Sequence, residues 1–143
     1  MNLLTDIYPE ETLYSCLVRG LLLSGYPDSS SFLIAAIQSR NKQLSSLIPN
    51  YIDHIARTHK LRASELIQKH TVFPLFRLFS EPTVYKTCLK QLQQGEGDTV
   101  LSRLSVIANR LEAKPMLKLC PTCIEEDKLK FGVSLWHIEH QLP

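Results

Sequence analysis

Residues 120–143 read CPTCIEEDKLKFGVSLWHIEHQLP, and the class of the chain turns on what its two cysteines do. A redox Cys-x-x-Cys needs a reactive cysteine at a helix N-terminus within a thioredoxin-like strand–helix context. The residues before Cys120 instead carry helical periodicity with no βαβ alternation, so metal binding is the preferred reading of the pair. A two-residue gap lets both sulfurs of Cys120 and Cys123 reach one zinc ion at about 2.3 Å, within a tetrahedral set of four ligands. The spacing predicts an extended approach from Lys118, a knuckle-like turn, and then a short helix over 124–130 with Glu125, Glu126 and Asp127 in its first turn, where acidic groups are favoured.

His137 and His140 follow, and they are the candidates to complete a Cys2His2 set. Their separation falls just short of the usual finger range. The favoured expectation is therefore that both are hydrogen-bonded beside the module while Trp136 packs against the rest of the protein. His54, His59 and His70 lack partners at ligand spacing and are expected to be structural or at the surface.

Outward from the module, the chain reads as helices. Pro9, Glu10 and Glu11 suit a first helical turn, Gly25 a stop, and Leu13, Cys16, Leu17, Val18 and Leu21 an apolar face between them. Arg19 on this helix must point away from the core or carry a specific ion pair. Asp28 or a following serine caps a second helix through Phe32, Ile34, Ala35 and Ile37. Asn50 caps a third, from Tyr51 to about His59, and Ser64 a fourth, from Glu65 to His70. The last two have helix-turn-helix character, with Arg57, Lys60, Arg62 and Lys69 as candidate nucleic-acid contacts.

Pro74 predicts a packed connector in which Phe73, Phe76 and Phe79 are core anchors. Glu81-Pro82 opens a fifth helix that runs to the Gly95–Gly97 break. Asp98 opens a sixth with Leu101, Leu104, Ile107, Ala108 and Leu111 in one stripe. The fold class is mainly α: a helical body over 1–112 and the first half of a zinc-finger module over 113–143.

Composition narrows the function. In 143 residues, 44% apolar and 21% charged, there is room for one body and a small appendage but not for two large domains. Sixteen basic against fourteen acidic residues give a net charge of +2, too little to bind nucleic acid by bulk charge, so any such contact must be local. No apolar run approaches the length that crosses a bilayer, and the acidic start is unlike a signal peptide, which places the expected compartment in the cytoplasm. Cys16 and Cys88 lie in apolar helical patterns and read as buried thiols rather than disulfide partners.

Three separated blocks carry a family resemblance: PEETLYSCLVR at 9–19, HTVFPLFR at 70–77, and Cys-Pro-x-Cys followed by an acidic stretch, Phe-Gly and WHIEHQLP. Together they resemble the TniQ/TnsD family of transposon target-selection proteins, some of them CRISPR-associated. The resemblance implies a helical body with helix-turn-helix character and a zinc finger. It also implies an adaptor, not an enzyme, that binds DNA or a guide-RNA complex and recruits the transposon's AAA+ ATPase. The family's first two zinc ligands fall on Cys120 and Cys123. Its second pair, a Cys-x-x-His, is expected after Pro143, so the chain is expected to be an N-terminal fragment or a truncated member with an incomplete site. Ile138 stands where the family commonly has arginine.

Two other classes compete with the adaptor. A transcriptional regulator using the helix pair at 50–70 would dimerise on paired half-sites. Among enzymes only a thiol oxidoreductase at Cys120 and Cys123 finds support, since no catalytic triad, phosphate loop or carboxylate pair can be assembled.

Overall fold

The computed structural model describes residues 6–38, 48–100, 102–104 and 118–141. Among these residues it is helical, without strands, and the single extended contact is an isolated antiparallel bridge between Glu11 and His137.

Helix α1 spans Leu13–Ser24. It starts later than its sequence suggests, because Thr12 takes the capping position and its side chain accepts the Ser15 N–H at 3.1 Å. Residues 8–11 form a turn, closed by the Glu11 N–H on the Tyr8 carbonyl at 3.2 Å, with Glu10 left-handed at φ 64°. Glu10 and Glu11 thus lie outside the helix and not in its first turn. The stop is as expected: Gly25 adopts φ 73°.

Helix α2, Ser29–Ile37, is capped by Asp28, whose carboxylate accepts the Ser31 N–H and Oγ–H at 2.8 Å each. Those bonds hold the Asp28 carboxyl below its ordinary range. Helix α3, Ile52–Thr58, follows Tyr51 in the cap position, one residue later than Asn50 predicts. Helix α4, Ala63–His70, has Arg62 at its N-cap with no side-chain bond, so Ser64 lies inside the helix and caps nothing.

A 3₁₀ segment, Phe73–Leu78, carries Pro74 in its first turn and leads to α5, Pro82–Gln94, which Pro82 opens. Gly95 ends α5 at φ 82°. A Cβ there would stand 2.6 Å from the Asp53 carboxyl carbon, so a side chain at this position would have to displace the Asp53 carboxylate as well as adopt a left-handed backbone. A short 3₁₀ turn, Gly97–Thr99, comes next, and residues 102–104 are helical. The remainder of the expected sixth helix, with Leu101, Ile107, Ala108 and Leu111, lies outside the described residues, as does the expected boundary at 112–115.

Helices α1 to α5 close on one core. Leu13, Leu17, Phe32, Leu33, Ile37, Ile52, Ile55, Ile67, Phe73 and Leu92 are all buried, and Val100 and Leu104 extend the cluster. Cys16 and Cys88 are buried inside it without a disulfide, as their sequence context predicts. Phe76 packs partly against the core, whereas Phe79 is 58% exposed: it follows the end of the 3₁₀ segment and points away, contrary to the expectation of an anchor. Each fully buried Leu, Ile or Phe contributes about 1.5–3 kcal/mol. An exposed pair such as Arg57–Asp53 contributes only about 0.2–1 kcal/mol, so burial sets the stability.

His59 ends α3, its N–H on the Ile55 carbonyl at 2.9 Å. Burial pushes the imidazole below its ordinary value of 6.5, against the opposing effect of a hydrogen bond to the Ala36 carbonyl. With the folded-state value depressed, the unfolded chain binds the extra proton first. The His59 contribution is therefore intact above about pH 6.5 and lost as pH falls below it. Melting temperature is expected to fall between about pH 7 and pH 5, a window dominated by histidine. His59→Gln should flatten that slope, and an unchanged slope in the variant would refute the assignment.

Candidate functional site

Helix α6, Pro121–Phe131, and the 3₁₀ turn Ile138–Gln141 that follows it form the cysteine module, seated on the start of α1. The seat is built around Glu11, which is fully buried. The left-handed Glu10 turns the chain so that the Glu11 side chain enters the interior. Its Oε1 accepts Ser15 Oγ–H at 2.7 Å and Arg19 Nε–H at 2.9 Å. Its Oε2 accepts Arg19 Nη2–H at 2.8 Å and the Tyr8 N–H at 3.1 Å.

Arg19 therefore carries the specific ion pair that its sequence position demanded. Desolvation opposes its charge, but the hydrogen bond to Glu11 and the attraction between the two charges outweigh that opposition and hold the guanidinium more firmly protonated than usual. The guanidinium also lies over the Tyr8 ring at 4.7 Å, and that ring meets Phe131 of α6 at 4.4 Å.

The same turn receives the module's backbone. Thr12 N–H donates to the Trp136 carbonyl at 2.9 Å, Trp136 N–H to Ser15 Oγ at 3.2 Å, and Ile138 N–H to the Glu10 carbonyl at 3.0 Å. The Trp136 ring stands edge-on to Tyr14, so it packs against the body as expected. From α4, His70 Nδ1 lies 2.8 Å from the Glu11 carbonyl oxygen. Residues of all three resemblance blocks thus meet at one buried polar seat. Glu11 and Ser15 had no functional assignment from sequence; the available signal was a glutamate and an arginine flanking an otherwise apolar stretch.

Helix α6 begins at Pro121, earlier than expected, because proline suits a first helical position. Cys120 occupies the N-cap and Cys123 the first turn, in place of a knuckle turn. Glu125, Glu126 and Asp127 consequently fall in the body of the helix. The Cys120 thiol is pulled below its ordinary range, chiefly by the Cys123 N–H, then by the Cys123 thiol and by Thr122. Neither cysteine forms a disulfide, and both are half-exposed.

A cysteine pair suits a soft metal but supplies only half of a tetrahedral set. Among the described residues no third His, Cys, Asp or Glu joins Cys120 and Cys123. His137 Nε2 instead lies 2.9 Å from Oδ2 of the buried Asp127, which also accepts the Leu135 N–H at 3.2 Å. That bond supports the reading of His137 as a hydrogen-bonded residue, and it gives Asp127 a positioning role that sequence reasoning missed. The side chain of His140 lies outside the described residues.

The four candidate nucleic-acid contacts are exposed: Arg57, Lys60 and Arg62 lie at the α3–α4 turn, and Lys69 in the last turn of α4. Arg57 pairs with Asp53 at 2.6 Å and Lys69 with Glu65 at 2.7 Å, while Arg62 lies 3.8 Å from Glu65. Lys60 sits between the helices at φ 56°, and among the described residues no ion pair engages it. A groove of about 460 Å³, lined by Asp53, Ala56, Arg57, Leu61, Ala63, Gln93 and Gln94, opens between this turn and the end of α5.

The TniQ family model matches residues 3–143. Among curated proteins, the chain is similar to the transposon Tn7 transposition protein TnsD of Escherichia coli, with 24% identity over 140 residues. That alignment covers 95% of this chain and 28% of the relative, so the chain spans less than a third of the relative's length.

Proposed function

This chain belongs to the TniQ family, and on that footing we propose that it acts in target selection for transposition, as an adaptor rather than an enzyme. In this reading it contacts DNA, or a guide-RNA complex, at the target and recruits the transposon's AAA+ ATPase. The observation that carries the reading is the family match over nearly the whole chain, together with an alignment to a transposition protein that spans 95% of it. The exposed α3–α4 cations are the proposed nucleic-acid face, and the pair is proposed as a helix-turn-helix unit. The test is co-purification with the ATPase, with and without duplex DNA. Retention of the ATPase and a shift of the DNA support the adaptor, and a protein that binds neither overturns it. Selection of a palindromic site from random duplexes would favour a transcriptional regulator instead.

Cys120 and Cys123 are proposed to supply two zinc ligands, which the depressed Cys120 thiol supports. In a longer form of the protein that carries a second ligand pair, Cys120→Ser is expected to lower the zinc content and to loosen α6, because structural zinc contributes directly to folding. Unchanged zinc content and an unchanged melting curve would contradict this.

A further inference from the structure

We infer that the α3–α4 turn grips the phosphate backbone of duplex DNA through Lys60, flanked by Arg57 and Arg62, and does so without reading bases. The inference rests on the proposed DNA contact and specifies its chemistry. Helix α3 ends in a Schellman arrangement: the Leu61 N–H donates to the Ala56 carbonyl at 2.9 Å, and Lys60 occupies the left-handed position between His59 and Leu61. That position strongly favours glycine, because a Cβ is crowded there. Glycine takes the left-handed ends of α1, α5 and α6, at Gly25, Gly95 and Gly132, while α2 ends left-handed at Gln38, φ 55°.

A lysine in this position is worse for the fold than glycine, and its exposed charge, unpaired among the described residues, is what gives its side chain a role there. The ammonium is exposed at the tip of a tight turn, and among the described residues it lacks the carboxylate partner that Arg57, Arg62 and Lys69 each have. It is the cation of the four that reaches a phosphate without first leaving a partner.

Base reading is disfavoured by α4. A recognition helix meets base edges with its first turn. Here that turn carries Glu65, a carboxylate 44% exposed and placed between Arg62 and Lys69. Its negative charge opposes entry into a groove walled by phosphates and ties up the two neighbouring cations. Contacts from the turn fix position on the duplex and leave sequence choice to other parts of the assembly.

The experiment measures binding of the purified protein to several unrelated duplexes across a salt series, alongside thermal melting. The wild type is expected to bind the duplexes alike, with a strong salt dependence. Lys60→Gly should bind more weakly, with a log–log salt slope shallower by about 0.9, the value of one phosphate contact. The same variant should melt higher by about 2–4 °C as the left-handed strain is relieved. Lys60→Arg should keep the slope. An unchanged slope in Lys60→Gly, or marked preference among the duplexes, overturns the inference while leaving the DNA contact standing. A wild type that binds no duplex overturns both.

Discussion

Arg19→Ala is expected to lower the stability of the protein by about 3–5 kcal/mol, the usual consequence of removing one partner from a buried ion pair. The Glu11 carboxylate would lose two of its four hydrogen bonds while remaining fully buried. Its charge could then be neutralised only by protonation or by admitting water. Tyr8 would also lose the cation over its ring, and with it part of the contact to Phe131 of α6. The damage should therefore spread to the module, seen as faster proteolysis near 132–135 in addition to a lower denaturation midpoint. A Glu11→Gln, Arg19→Met double variant should recover part of the loss, since a neutral pair removes the stranded charge. A single variant within about 1 kcal/mol of wild type would sink this account, because a pair worth so little behaves as a surface one.

Phe73→Ala should cost about 3–5 kcal/mol, by loss of transfer free energy and by the cavity left behind. Phe73 is fully buried and stacks on Tyr85 of α5 with ring centroids 4.7 Å apart. It begins the 3₁₀ segment that joins α4 to α5, and its N–H donates to Thr71 Oγ1 at 3.2 Å, so the surrounding backbone is held and collapses poorly into the void. Phe79→Ala is the internal comparison. That ring is 58% exposed and should cost well under about 1 kcal/mol. Similar denaturation midpoints for the two variants would show that the connector is not anchored as described.

The local features of the chain were legible because local chemistry decides them. Asp28 caps α2 through a serine three residues away, Pro82 opens α5, and Gly25 and Gly95 end their helices, all within the reach of one turn. The largest misreadings have a physical origin in contacts that the local pattern does not contain. Pro9, Glu10 and Glu11 have the composition of a helix start, yet Glu11 satisfies its carboxylate against Arg19, and the backbone on either side of it, at Glu10 and Thr12, bonds to Ile138 and Trp136. Phe73 and Phe79 look equivalent in sequence, and only the direction in which the 3₁₀ segment leaves the core separates them. At the site, the cation-rich turn and the cysteine pair were visible as residue types. The left-handed backbone at Lys60 was not, since lysine does not advertise that conformation.

The seat that holds the module also sets an order of events during synthesis. Ser15 and Trp136 are 121 residues apart, and at a translation rate of about 5–20 residues per second that gap lasts roughly 6–24 s. Helices α1 to α5 have time to close on their core in that interval, while the groups that will receive Trp136 and Ile138 stay open to water. The Glu11 turn thus stays open on the nascent chain longer than the α1–α5 core, and gives a chaperone or a protease more time to act there.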